Sequence, residues 1–109
     1  MSNYSLIQIN DLDKGVVCIQ LNSPETQNTL SEKMIGELQQ CLDDLHKGPS
    51  KVIILSSTGK VFSAGHDLKE LKAAQSQSDQ GRGYFQKILK QCSTMMRSIV
   101  NHTKPVIAQ

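Results

Sequence analysis

The chain has 109 residues, a formal net charge of +2, 4% aromatic residues and no tryptophan. So weak a charge, with no cluster of lysine and arginine, argues against nucleic-acid binding, and no apolar run reaches the roughly 18 residues of a membrane span. The three cysteines are odd in number and widely spaced, without a C-x-x-C pair, which predicts free thiols in a reducing compartment.

The first segment, MSNYSLIQINDLDKG, resembles no targeting sequence. It lacks the long apolar core of a signal peptide, and it has acidic residues where a transit peptide would be rich in arginine. Together with the free thiols, this composition predicts a cytoplasmic protein.

Two runs rich in β-forming residues open the chain and predict a hairpin over residues 4–22. After a polar loop, apolar side chains recur at helical spacing, which predicts a helix over residues 31–47. Ser31 is the expected N-cap of this helix, and the Lys-Gly-Pro sequence at residues 47–49 is expected to end it.

The second half of the chain continues the alternation of strands and helices. KVIILSS, residues 51–57, is a continuous apolar run typical of a strand covered on both faces. A short helix is expected over residues 68–74, a mobile polar connector over residues 73–81, a long helix over residues 83–101, and the start of a further strand at residues 105–109. This order predicts one α/β domain over residues 1–109, and an incomplete one, because the last strand has no continuation.

The long helix carries a wide apolar face, which is more typical of core packing than of a cofactor site. In an incomplete domain, part of that face would lack a cover, at Ile88, Leu89, Met95 and Met96, and the chain would associate. The face comprises Tyr84, Phe85, Ile88, Leu89, Cys92, Met95, Met96, Ile99 and Val100.

The stretch FSAGHDL, residues 62–68, is the strongest candidate for a functional site. Adjacent His66 and Asp67 point in different directions on a strand or a helix, and His46 and His102 have no ligand spacing, so no metal site is expected. The neighbouring SSTGKV is not a phosphate loop, because the Gly and Ser or Thr positions of that motif are absent. None of the cysteines lies in a sharp turn flanked by glycines, so the sequence does not support a cysteine nucleophile.

The small residues Ser63, Ala64 and Gly65 allow a ligand to approach the main chain closely. If a helix begins near Leu68, the main-chain N–H of His66 lies at its positive end and favours a developing negative charge, as an oxyanion-hole donor does. The His66 side chain is then incidental, and the adjacent aspartate caps the helix. A tight strand-to-helix turn without any ligand remains the alternative.

Three segments together resemble the N-terminal part of the enoyl-CoA hydratase/isomerase (crotonase) superfamily: LNSPETQNTLSEKMIGEL at 21–38, KVIILSSTGKVFSAGHDLKEL at 51–71 and KPVIAQ at 104–109. Within the second, FSAGHDLKEL matches the family's AGxDxxE segment. A histidine after the glycine, where alanine is more usual, resembles the branch called enoyl-CoA hydratase domain-containing proteins.

The resemblance implies a crotonase-like spiral of ββα units, trimers or hexamers, and acyl-CoA thioesters as substrates, with no cofactor beyond their coenzyme A. It implies that the His66 N–H is the first of two oxyanion donors. Ala64, His66, Asp67 and Leu68 match the turn that grips the adenine and pantetheine end, and Lys69 matches a basic residue near the CoA phosphates. Tyr84 and Phe85 are further candidates for the acyl pocket, with core packing as the alternative.

The sequence departs from the family pattern at two places, which limits the activity that the resemblance implies. Glu25 and Gln27 stand where many members have a basic residue. The family's second donor and its acidic proton-handling residues would follow the KPVIA segment, so we expect this polypeptide alone to be inactive. The parent protein would hydrate or isomerise a 2-enoyl-CoA; the alternatives are a non-catalytic acyl-CoA-binding or scaffold protein, or a truncated remnant.

Overall fold

The computed structural model describes residues 4–109, which form a mixed four-stranded sheet and three α-helices. Short 3-10 turns precede β2 and α1. In chain order the elements are β1 (Ile7–Asp11), β2 (Val16–Leu21), α1 (Glu32–Asp44), β3 (Val52–Ser57), α2 (Leu68–Ala74), α3 (Arg82–Val100) and β4 (Val106–Ala108).

The strands lie in the order β1-β2-β3-β4. β1 pairs antiparallel with β2, which confirms the N-terminal hairpin, whereas β2 with β3 and β3 with β4 pair parallel. Each parallel connection passes through helices, α1 in the first and α2 with α3 in the second, as a parallel pairing requires. The expected ββα arrangement is therefore present.

The core lies between one face of the sheet and the two longer helices. On β2 the buried side chains alternate along the strand, with Val17, Ile19 and Leu21 facing inward. Burying each such side chain stabilises the fold by roughly 1.5–3 kcal/mol. From the helices, the core takes Met34, Ile35, Leu38, Cys41, Leu42, Cys92 and Met95.

The opposite face of the sheet is open within residues 4–109. Val52 and Ile54 alternate with the buried Ile53, and both are only half-buried. On either side of Ile54 lie Cys18, also half-buried, and the exposed Ile107. The expectation that β3 is covered on both faces is thus wrong for the described residues, since the helices pack on one face alone.

Helix α1 begins where the sequence predicts and ends earlier. The Ser31 hydroxyl accepts the N–H of Met34 at 3.1 Å, which confirms the N-cap. The helix ends at Asp44 rather than residue 47, because the N–H of His46 turns back to the Asp43 carbonyl at 3.3 Å. The His46 ring stacks on His102, with ring centroids 3.9 Å apart.

Helix α3 divides its apolar face between two environments. Ile88, Cys92 and Met95 are buried, and Cys92 and Met95 belong to the core formed with α1 and the sheet. Leu89, Met96 and Val100 are 60%, 44% and 81% exposed. The lack of cover expected for this face is confirmed at Leu89 and Met96 and wrong at Ile88 and Met95, because the face is wider than the contact with α1.

The polar connector between α2 and α3 is a series of hydrogen-bonded turns. The carboxylate of Asp79 accepts the N–H groups of Gly83 and Gly81, each at 3.0 Å, and these bonds lower the pKa of Asp79. The connector was predicted to begin at residue 73, but residues 73 and 74 belong to α2. The mobility of this connector stays a prediction.

Within residues 4–109, no helix is long and apolar enough to cross a membrane, and no group of three or more metal-binding side chains occurs. The three thiols are free. Burial raises the pKa of Cys41 to about 11 and also raises that of Cys92, so these two behave as small core side chains.

Candidate functional site

The turn at residues 62–68 connects β3 to α2 and contains one residue with a positive φ. Gly65 has φ +90°, a conformation that side-chain-bearing residues rarely adopt. A Cβ added at Gly65 would meet nothing within 4 Å. Glycine is therefore required here for its backbone angle and not for lack of space.

Main-chain hydrogen bonds hold this turn against the loop that precedes α1. The N–H of Leu30 donates to the Gly65 carbonyl at 2.7 Å, and Leu30 and His66 form an isolated parallel bridge. One residue earlier in the turn, the Ala64 N–H donates to the Gln27 carbonyl at 3.0 Å. The backbone on both sides of Gly65 is thereby fixed.

The hydroxyl of Ser63 adds a further link between the two loops. Its Oγ donates to the Asn28 carbonyl at 2.7 Å and accepts the N–H of Gly65 at 3.2 Å. We expected a small residue at position 63 so that a ligand could approach the main chain. In the structure this side chain instead stabilises the turn.

Asn28 is the residue on which the loop before α1 depends, and it did not figure among the predicted site residues. It is 0% exposed and has φ 53°. Its Oδ1 accepts the N–H of Ser23 at 2.7 Å, and its Nδ2 donates to the carbonyls of Thr58 and Val61 at 2.9 and 3.2 Å. A short amide side chain that tolerates a left-handed backbone is the signal that could have identified it.

The main-chain N–H of His66 donates no hydrogen bond within residues 4–109. Its neighbours in the turn, Ala64 and Gly65, both have acceptors. The imidazole Nδ1 of His66 is enclosed and also has no partner in this part of the chain. An unpaired main-chain donor thus lies in a turn whose flanking backbone is held in place.

Asp67 caps α2, as predicted. Its Oδ1 accepts the N–H groups of Lys69 and Glu70 at 2.9 and 3.4 Å. The side chains of Leu68 and Lys69 project from the first turn of α2 and are exposed. The structure thus brings the predicted residues 64 and 66–69 into one short, partly exposed segment.

Glu70 joins three helices; in the sequence analysis it was only the last residue of the AGxDxxE match, with no role assigned. Its Oε1 accepts the N–H of Glu32, the first residue of α1, at 3.0 Å, and the hydroxyl of Tyr84 on α3 at 3.2 Å. Burial, with the neighbouring Glu70 carboxylate, raises the pKa of Tyr84 to about 12. The spacing Asp67-x-x-Glu70 was the available signal, since it is a capping pattern.

Two large cavities lie away from the turn. One, of about 810 Å³, runs between α1 and α3 and is lined by residues that include Ile35, Gly36 and Thr94. The other, of about 1320 Å³, lies beside the N-terminal hairpin. The turn residues line neither cavity, and the two ends of the turn, Phe62 and Leu68, are exposed. The turn therefore lies outside both cavities, with exposed ends and a half-buried His66.

Comparison with known proteins decides the family. The sequence model described as enoyl-CoA hydratase/isomerase matches residues 11–109. The chain belongs to this family. The resemblance to the crotonase superfamily is thereby confirmed.

The relatives are much longer than the chain. The human protein named enoyl-CoA hydratase domain-containing protein 3, mitochondrial, is 44% identical over 95 residues, which are 86% of this chain and 30% of the relative. In its crystal structure, 43% identical, the match has a TM-score of 0.81 and covers 95% of this chain and 39% of the human one. An enoyl-CoA hydratase from Mycobacterium smegmatis gives a TM-score of 0.84 at 33% identity, with coverage of 95% and 39%. These matches confirm the crotonase fold for the N-terminal part of such a protein.

The prediction of a cytoplasmic protein is contradicted by these relatives. The human, rat and mouse proteins at 43–44% identity are all named as mitochondrial. Free thiols occur in any reducing compartment, so the cysteines could not separate the cytosol from the mitochondrion.

Proposed function

We propose that the chain binds an acyl-CoA thioester and that the main-chain N–H of His66 donates a hydrogen bond to the thioester carbonyl oxygen. The observation that supports this proposal is the unpaired N–H in a turn whose flanking backbone is fastened on both sides. A donor fixed before the ligand arrives needs no reorganisation, and such preorganisation is what makes an oxyanion donor effective.

In this proposal the chemistry begins with negative charge on the thioester oxygen as an enolate forms. Removing one such donor typically slows an enzyme by about 10²–10³-fold. Ala64 and the segment Asp67–Leu68 would shape the cleft along the adenine and pantetheine end, and Lys69 would meet a CoA phosphate. In a full-length protein this turn would supply one donor for hydration or isomerisation of a 2-enoyl-CoA.

A second candidate is acyl-CoA binding without turnover. It is favoured by the exposed surface of the turn at Phe62 and Leu68. In our proposal, no described residue is assigned as the second oxyanion donor or as an acid–base group. Loss of enoyl-thioester absorbance with crotonyl-CoA would separate the two, because a non-catalytic binder leaves that absorbance constant.

The donor is tested by two ligands that differ in the carbonyl group. Acetyl-CoA contains the thioester oxygen, whereas the thioether S-ethyl-CoA replaces that carbonyl with a methylene. If the His66 N–H binds the oxygen, acetyl-CoA should bind about fivefold more tightly, the usual net value of one hydrogen bond. Calorimetric titration measures both affinities, and the amide resonance of His66 should shift with acetyl-CoA alone. Equal affinities with no such shift would overturn the proposal.

Two variants distinguish a contact made by the main-chain N–H of His66 from contacts made by side chains. His66→Ala keeps the N–H and removes the imidazole, so the preference for acetyl-CoA should persist. Lys69→Ala should weaken both ligands equally, because both have the same phosphates. Loss of the preference in His66→Ala would assign the contact to the ring instead.

The proposal extends to assembly into the trimer or hexamer that the family resemblance implies. The exposed apolar side chains of α3, at Leu89, Met96 and Val100, support association.

A further inference from the structure

Glu70 lies one helical turn beyond the N-cap Asp67, at the position where a carboxylate usually turns back to the N-cap N–H. In this chain it does not form that bond. Its Oε1 reaches out of α2 instead and accepts the first N–H of α1, from Glu32, at 3.0 Å. The same oxygen accepts the Tyr84 hydroxyl of α3 at 3.2 Å.

The bond to α1 satisfies a donor that the helix cannot satisfy itself. The first N–H groups of any α-helix lack intrahelical partners, and Ser31 caps only the N–H of Met34. Glu70 thus provides the acceptor for Glu32 from another helix. Its negative charge also lies at the positive end of the 13-residue α1, which is the favourable end for a carboxylate.

The same bond connects the two sides of the candidate site. Leu30 and Glu32 flank the N-cap of α1; Leu30 binds the backbone before His66, and Glu32 binds Glu70 after it. The segment from Gly65 to Glu70 is therefore attached at one end to the loop before α1 and at the other to the first residue of α1. His66 lies between the two attachments, and its N–H has no acceptor within residues 4–109.

We propose that Glu70 is a positioning residue for the His66 N–H: by binding the start of α1 and the hydroxyl of Tyr84, it holds α2 and the turn 62–68 at a fixed angle to α1. The inference rests on the proposed thioester contact. Glu70 itself touches no ligand in this scheme. Its effect passes through the direction of the main-chain donor.

Glu70→Ala and Glu70→Gln form the deciding pair. Alanine removes the acceptor for Glu32 and Tyr84, whereas glutamine keeps a carbonyl oxygen at the same position. The original chain should prefer acetyl-CoA over S-ethyl-CoA roughly fivefold. In Glu70→Ala we expect this preference to disappear, so that the two ligands bind equally tightly and the affinity for S-ethyl-CoA is unchanged. Glu70→Gln should keep a preference within about twofold of the original chain.

A measurement without ligand keeps this inference separate from the proposed function. Hydrogen exchange at the Leu30 N–H, which binds the Gly65 carbonyl, reports whether the turn stays attached. It should quicken about tenfold or more in Glu70→Ala and stay unchanged in Glu70→Gln. If the original chain shows no preference between the two ligands, the proposed function fails, yet this exchange still tests the positioning role.

Glu37→Ala is the matched control. Glu37 lies on α1, and its carboxylate accepts the main-chain N–H groups of Ser5 and Leu6 at 3.1 and 2.9 Å, away from the turn. Its removal costs comparable hydrogen bonds without touching α2. Ligand preference and Leu30 exchange should not change in Glu37→Ala. An unchanged Leu30 exchange and ligand preference in Glu70→Ala would overturn the positioning role, and equal losses in both alanine variants would reduce it to general stability.

Discussion

The turn around His66 and the outer side of α3 differ in how many contacts they make with the rest of residues 4–109. The turn is held by hydrogen bonds from the loop before α1 and from α2, and the described residues supply all of these. The outer side of α3 exposes Leu89, Met96 and Val100. Hydrogen bonds between segments that lie far apart in sequence, but all within residues 4–109, hold the candidate site. No described residue covers the apolar side chains on the outer side of α3.

Asn28→Ala should produce the largest effect, because one buried N–H and two part-buried carbonyls would lose their partners. The Ser23 N–H and the carbonyls of Thr58 and Val61 all bind this side chain. The unsatisfied buried N–H costs about 1–3 kcal/mol, and the two part-buried carbonyls add to this, so we expect a loss of about 2 kcal/mol or more from a total that is typically about 5–15 kcal/mol. Urea unfolding followed by circular dichroism measures it.

Asn22→Ala is the control for that change. Asn22 is exposed, and its main-chain N–H, which donates to the Leu6 carbonyl, is unaffected by the substitution. A surface change of this kind usually stays within about 0.5 kcal/mol. Similar losses in the two variants would show that side-chain hydrogen bonds do not hold the turn, and the contrast between the two regions would disappear.

Much of the fold was predictable because its signals are local. The hairpin, the Ser31 cap, the short helix at Leu68–Ala74 and the Asp67 cap follow from periodicity and capping chemistry within a few residues. The Gly65 turn was likewise marked by its three small residues. These are the features on which the candidate site stands.

Other features depend on partners far apart in sequence, and the pattern could not reveal them. Asn28 binds carbonyls 30 and 33 residues away, and Glu70 binds an N–H 38 residues away. Of the four α3 side chains expected to lack a cover, Ile88 and Met95 were assigned to the wrong environment for the same reason. Periodicity identifies an apolar face, but which side chains are buried depends on where α1 lies.

Gly65→Ala and Gly36→Ala should have opposite effects of similar size. At both positions an added Cβ meets nothing within 4 Å, so packing does not distinguish them. Gly65 has φ +90°, where a side chain costs roughly 1–2 kcal/mol. Gly36 lies inside α1, where alanine gains roughly 1 kcal/mol.

Thermal and urea unfolding of the two glycine variants measure these changes. Gly65→Ala should also reduce the preference for acetyl-CoA over S-ethyl-CoA, since a change in φ at Gly65 redirects the next N–H. Gly36→Ala should leave that preference unchanged. Stabilisation by Gly65→Ala would contradict the strained geometry of the turn.

Leu89→Gln combined with Met96→Gln should change stability least, within about 0.5 kcal/mol per site, because both side chains are largely exposed. Association should weaken strongly, since the substitutions remove apolar area that a second surface would bury. Sedimentation velocity over a range of concentrations measures this.

Met95→Ala is the contrasting control: Met95 is 1% exposed, and its truncation should cost about 2–5 kcal/mol. If the double variant unfolds as readily as Met95→Ala, the outer side of α3 is already part of the core, and the two regions are equally complete.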